Sequence, residues 1–151
     1  MFRKASLLSL TVIAGMALTP ALTSSAAFAV DDDTSTGSVD LSSVRAKIKV
    51  GSYAAALEEL RGLAEDTQQA DVYNLLGYTL RKTGDFATSL TYYRNALELR
   101  PDYRAAREYL GELYVETDDI SKAKEQLAAL VKLCPSGCEE RDDLEKALDG
   151  K

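Results

Sequence analysis

LGYTLRKTGDFATSLTYYRNALELRP, Leu76 to Pro101, and LGELYVETDDISKAKEQLAALVKLCP, Leu110 to Pro135, are two versions of one pattern. Laid one over the other, Leu76-Gly77 falls on Leu110-Gly111, Gly84-Asp85 on Asp118-Asp119, and Phe86 on Ile120. Ser89 falls on Ala123 and Pro101 on Pro135, every match 34 residues apart. A fainter copy comes earlier, with Gly51, Tyr53, Ala56 and Leu60 standing 33 residues before Gly84, Phe86, Ser89 and Tyr93. From Leu41 onward the apolar residues recur at helical spacing, and no alternating strand pattern competes. A fixed period of this length marks helix pairs that stack to bury a shared core.

The repeated residues have physical reasons to recur. Gly77 and Gly111 fall in the middle of helices, where glycine costs about 1 kcal/mol relative to alanine. Close packing against Ser89 and Ala123 on the partner helix would offset that cost, with Tyr and Leu filling the space on either side. Pro101 and Pro135 end the second helix of each pair, since proline cannot occupy a helix interior. Gly84-Asp85 turns the chain between helices.

The pattern strongly resembles the tetratricopeptide repeat, whose period is about 34 residues and whose motif runs W-x2-L-G-x2-Y, then A, F/Y, A and P. The second repeat fits best: Tyr73, Leu76, Gly77 and Leu80 lie on its first helix, and Phe86, Ser89, Tyr93, Ala96 and Pro101 on or after its second. The third keeps Leu110, Gly111, Tyr114, Ile120, Ala123, Leu127 and Pro135. The first departs: it lacks Leu-Gly, shows Leu41, Val44 and Ile48 instead, and has no closing proline near Thr67–Gln69. It still reads as a helix pair turning at Gly51-Ser52. The resemblance implies an all-α, right-handed superhelical solenoid of about three helix-turn-helix pairs, residues 40–69, 70–103 and 104–137. ERDDLEKALDGK at the end carries Leu144 and Leu148 four apart among charges, and 138–151 is expected to be a helix capping the open end of the stack.

The first 29 residues read as a signal peptide. Arg3 and Lys4 precede an apolar run from about Leu7 to Leu18, and Ala27-Phe28-Ala29 suits signal peptidase. That run is shorter than the roughly 20 residues needed to span a bilayer, so cleavage after Ala29 is expected, leaving a chain not embedded in a membrane. The net charge of −6 would then become more negative, because the removed segment holds two basic residues and no acid. Residues 30–39, VDDDTSTGSV, read as a disordered acidic leader. Asp31, Asp32 and Asp33 lack the Gly-centred loop and distal Glu of a calcium site. The expected destination is the periplasm of a Gram-negative bacterium.

The only two cysteines, Cys134 and Cys138, flank Pro-Ser-Gly. Export would place them in an oxidising space, and a tight turn can bring their Cα atoms to disulfide distance. With no histidine in the chain a zinc site lacks ligands, and a redox C-x-x-C on a βαβ frame is absent. A structural disulfide between third repeat and cap is therefore the expectation, with a thiol–disulfide redox protein as the less favoured alternative.

The lack of histidine also removes imidazole acid–base chemistry, and the acidic balance argues against nucleic acid. No nucleophile–base pair, metal cluster or phosphate loop stands out, so no enzyme activity and no cofactor are expected. The resemblance implies a binding scaffold, a monomer that holds a protein or peptide along its first helices. Carried over by position, the groove residues are Asp71, Asn74, Tyr78 and Arg81 from the second repeat and Ala105, Glu108, Glu112 and Val115 from the third. Arg45 and Lys49 of the first repeat join the same surface. Glu108, Glu112 and Glu116 share a helical face, expected in water, with Arg104 pairing Glu108; this acidic wall suggests a basic or polar partner. The clamp that chaperone-binding relatives use for a C-terminal carboxylate is not expected, because Ala105 and Tyr109 stand where it has basic residues. A structural element docking on an envelope complex through convex surfaces is the other class of function left open.

Overall fold

A computed structural model describes residues 38–151. The expected signal peptide and nearly all of the leader lie outside these residues. Among them there are seven helices and no strand: α1 Ser42–Lys49, α2 Tyr53–Asp66, α3 Ala70–Thr83, α4 Phe86–Leu99, α5 Arg104–Glu116, α6 Ile120–Leu133 and α7 Glu139–Asp149. Each helix packs on its neighbours in the chain, and α3 also meets α5 while α5 meets α7. First helices therefore line up beside first helices, with α7 occupying the next such place. The result is an all-α helical repeat.

The three turns inside the pairs share one hydrogen-bond pattern. At the first, Gly51 N–H donates to Ile48 O and Ser52 N–H to Lys47 O; at the second, Gly84 donates to Arg81 O and Asp85 to Leu80 O. At the third, Asp118 donates to Val115 O and Asp119 to Tyr114 O. This closure needs a left-handed residue, and φ is +74° at Gly51, +87° at Gly84 and +59° at Asp118. Asp118 thus holds a conformation that glycine adopts freely and other residues adopt at a cost. The following aspartates start the next helices: Asp85 accepts from Thr88 N–H at 3.1 Å and Asp119 from Lys122 N–H at 3.4 Å, satisfying otherwise orphaned donors.

The core forms two clusters that adjoin at the α3–α4 pair. Leu41, Val44, Ala56, Leu60, Val72, Leu75 and Leu76 form one. Tyr93, Leu110, Leu113, Tyr114, Val115, Ala123, Leu130 and Leu144 form the other. Val39, the last residue of the expected leader, is half-buried against the first cluster and donates its N–H to Gln69 Oε1 at 3.3 Å.

The two mid-helix glycines meet different neighbours from those expected. Ser89 does touch Gly77, donating its hydroxyl to the Gly77 carbonyl at 2.7 Å, but the atoms that exclude a side chain belong to the Tyr93 ring. Around Gly111 the excluding group is Leu144 of α7, not Ala123. The repeat counterpart of Tyr93 is Leu127, a smaller side chain that is only partly buried. The cap therefore supplies the bulk that a tyrosine supplies one repeat earlier.

Cys134 closes α6 and Cys138 precedes α7. Their sulfurs stand at bonding distance, with Cα atoms 6.0 Å apart.

Candidate functional site

α1, α3 and α5 expose one continuous face. Between them opens a depression of about 230 Å³ lined by Arg45, Ile48 and Lys49 of α1, Leu75 and Tyr78 of α3, and Tyr109 of α5. Tyr78 and Tyr109 form its aromatic side, with ring centroids 5.1 Å apart and planes tilted by 56°. Cations surround Tyr78: Lys82 Nζ lies 5.3 Å from the ring centroid and the Arg81 guanidinium carbon 5.7 Å. Burial lifts the Tyr109 hydroxyl to about 12, helped by the nearby Glu108 carboxyl, so the ring stays neutral. The depression combines apolar contact with a positive rim at Arg45 and Lys49, which make no ion pair among the described residues.

Arg81 does not present a charge to this face as a free group. It is 4% exposed, and its guanidinium reaches across to the third repeat, bonding Glu112 at 2.5 Å and Glu116 at 2.7 Å. The residue expected to greet a partner instead ties α3 to α5. A guanidinium held by two carboxylates repays part of its desolvation, and burial, which alone would lower its pKa, is outweighed by Tyr93, Glu112 and Glu116.

Glu108 was expected in water, and that expectation fails. It is 7% exposed, because α7 packs along α5 and brings Glu140 and Asp143 up beside it. Arg104 does not pair with Glu108; it turns to Glu140 at 3.6 Å. Burial, followed by the charges of Glu112, Asp143 and Glu140, pushes the Glu108 carboxyl up to about 8, Arg81 opposing only in part. Glu112 is also less free than expected, being half-buried and spent on Arg81.

The remaining expected groove residues form a polar lock between α3 and the start of α5. Asp71 accepts from Tyr103 at 2.6 Å and from Arg100 at 2.5 Å. Partial burial pushes the Asp71 carboxyl up, but these two bonds outweigh it and hold it below the ordinary value. Tyr103 is raised to about 12 by burial and by that bond. Asn74 is 3% exposed and donates weakly to the Tyr103 hydroxyl at 3.4 Å, while its carbonyl oxygen is buried without a partner. Ala105 is half-buried and Val115 belongs to the core. Of the carried-over positions, only Tyr78, Arg45 and Lys49 meet at the depression.

Tyr109, Ile48 and Leu75 complete that depression and were not among the expected contacts. A signal for Tyr109 existed: it stands one repeat period after Leu75. The same register places Glu108 on Asn74, and both are buried.

Residues 80–134 match the tetratricopeptide repeat family. This is the stretch from the end of α3 to the end of α6, the best part of the periodic pattern. The helical-repeat fold extends beyond it: the chain is similar to the crystal structure of MamA, with a TM-score of 0.59 at 21% identity over 72% of either chain. It is also similar to the uncharacterised protein ycf37 of Guillardia theta, 31% identical over 53% of this chain and 43% of that one. The ycf37 protein of Pyropia yezoensis is 33% identical over 36% of this chain and 31% of its own length. The chain thus matches less than half the length of these curated relatives. Tetratricopeptide repeats are generally non-catalytic scaffolds for protein partners. No helix among the described residues is long and apolar enough to cross a membrane.

Proposed function

We propose that this chain is an exported, non-catalytic scaffold that holds a segment of a partner protein on the face made by α1, α3 and α5. The observation that carries the reading is the depression walled by Tyr78 and Tyr109 and floored by Ile48 and Leu75. An apolar or aromatic side chain of the partner fits there by burial and ring contact. Arg45 and Lys49 favour an acidic or carbonyl-rich stretch at one end of that segment. The acidic cluster of α5 and α7 favours a basic or polar stretch at the other. Arg81, Glu112 and Asn74 serve this face from beneath, by holding its helices in place.

Peptides selected by display against the purified protein test the reading. Tyr78→Ala should weaken them at least tenfold, whereas Glu125→Ala on the exposed side of α6 should leave them unchanged. Equal binding by Tyr78→Ala would remove the groove from the account.

A docking element using another surface has one observation in its favour. Phe86, Leu90, Leu113 and Tyr114 line a second apolar depression of about 280 Å³ between α4, α5 and α6, and Phe86 is 37% exposed. The redox alternative gains nothing comparable. Cys138 does precede a helix, but Glu139, Glu140 and Asp142 fill the first turn and oppose a thiolate. Instead, we propose that Cys134 and Cys138 form a disulfide that sets the cap on the third repeat. Export rests on the basic start, apolar run and Ala27-Phe28-Ala29. Amino-terminal sequencing of protein from its native host should begin at Val30, and an intact Met1 would refute it.

A further inference from the structure

A carboxylic acid buried without a partner is a costly feature, and Glu108 is one. It makes no hydrogen bond or ion pair among the described residues and is only 7% exposed. Every cation near it is committed elsewhere: Arg81 of α3 to Glu112 and Glu116, Arg104 of α5 to Glu140 of α7. What faces Glu108 is otherwise acidic or phenolic. Glu112 lies one turn along α5, Glu140 and Asp143 approach from α7, and Tyr78 of α3 and its own neighbour Tyr109 stand on the side of the depression. Four acids therefore converge on one place with no counter-charge of their own to spare.

We propose that Glu108 is the receptor for a single basic side chain of the bound segment, lysine or arginine, seated beside the Tyr78–Tyr109 depression. This rests on the groove reading above and adds the partner's chemistry to it. An organic cation suits the site better than a metal ion, because no three carboxylates among the described residues are placed to hold one. A long side chain can bring its charge up to Glu108 and leave Glu140 and Asp143 to meet the rest of it. An aromatic anchor in the depression and a basic residue next to it would fix the segment's direction along the face, since Arg45 and Lys49 repel the same cation at the far end.

Binding then carries a proton with it. In the free protein Glu108 holds its proton at neutral pH; a cation arriving beside it favours the ionised form and expels that proton. The pKa in the complex lies below that in the free chain. Affinity for the basic segment therefore rises with pH between those two values and levels off above about 8.

The test uses the full chain and two small probes, phenylbutylguanidinium and the urea of the same shape, which shares the ring but carries no charge. Carboxyl-carbon NMR follows the titration of Glu108, identified by its loss in Glu108→Gln, while ring signals report Tyr78 and Tyr109. Both probes should move the ring signals. Only the guanidinium should lower the Glu108 midpoint, by roughly 1–3 pH units as an adjacent opposite charge does. Ring shifts without any movement of Glu108 would overturn the receptor and leave the groove standing. Movement of Glu108 without ring shifts would support the receptor and count against the aromatic groove. No response from either overturns both.

Discussion

Replacing glycine by alanine at two helix-interior sites separates packing from helix propensity within one molecule. Gly62 lies in α2, exposed, and an added methyl there meets nothing within 4 Å. Gly62→Ala should therefore gain the full propensity difference, about 1 kcal/mol. At Gly77 the same methyl would stand 2.6, 2.7 and 2.9 Å from Cδ1, Cε1 and Cγ of Tyr93. The ring must retreat by roughly 0.5–1 Å to restore ordinary contact. It has nowhere easy to go: Tyr93 is fully buried, its hydroxyl beside the Arg81 guanidinium, and Ser89 pins the Gly77 carbonyl at 2.7 Å. Overpacking costs about 1–3 kcal/mol, and a rigid ring in a closed site belongs at the upper end. Subtracting the propensity gain leaves Gly77→Ala destabilised by about 2 kcal/mol, some 3 kcal/mol below Gly62→Ala. Urea unfolding of the two variants against the parent measures this directly. If Gly77→Ala is as stable as Gly62→Ala, the contact between α3 and α4 is not the reason for the repeated glycine.

Glu108→Gln should flatten the pH dependence of stability. A carboxyl raised from 4.5 to about 8 on folding destabilises the native state progressively as pH climbs between those values. That loss is at most about 4–5 kcal/mol at 1.36 kcal/mol per pH unit, so unfolding midpoints of parent and variant should converge near pH 4 and separate by pH 8, the variant being the more stable. Coincident curves would show Glu108 to be an ordinary surface acid. Asp118→Gly should stabilise by about 0.5–1 kcal/mol, the relief at a left-handed position outweighing the lost exposed pair with Lys151; a less stable variant would count against the shared turn geometry. Unreduced protein should show no free thiol, and replacing Cys134 and Cys138 by serine should cost about 2 kcal/mol in thermal unfolding while selected peptides still bind. Loss of binding at unchanged stability would return the pair to a functional role.

The helical architecture was legible because repetition amplifies weak signals. A single mid-helix glycine says little, but Gly77 and Gly111 at one period, with Gly84-Asp85 and Asp118-Asp119 turns and closing prolines, describe the same unit twice. The turn at Asp118 shows how register exceeds propensity: aspartate adopts the left-handed conformation less readily than glycine, yet it stands where Gly84 stands. The site was harder to read, for a physical reason. Whether Glu108 meets water depends on α7, which is not part of the repeat and whose position on α5 is set by Leu144 entering beside Gly111. Packing between helices also sends Arg104 to Glu140 of α7 and Arg81 across to Glu112 and Glu116 of α5. Spacing along one helix shows which residues share a face, but not which neighbouring helix covers it.

The face of α1, α3 and α5 is tested most directly by asking where a bound partner lies. A photoreactive amino acid placed at exposed Lys49, on the rim of the Tyr78–Tyr109 depression, and in a second variant at Phe86 in the depression between α4, α5 and α6, can be activated in the native host. A discrete partner adduct is expected from Lys49, mapping to a segment with an aromatic or branched apolar residue beside a lysine or arginine, and none from Phe86. Adducts from Phe86 alone would contradict it and move the working surface to the depression between α4, α5 and α6.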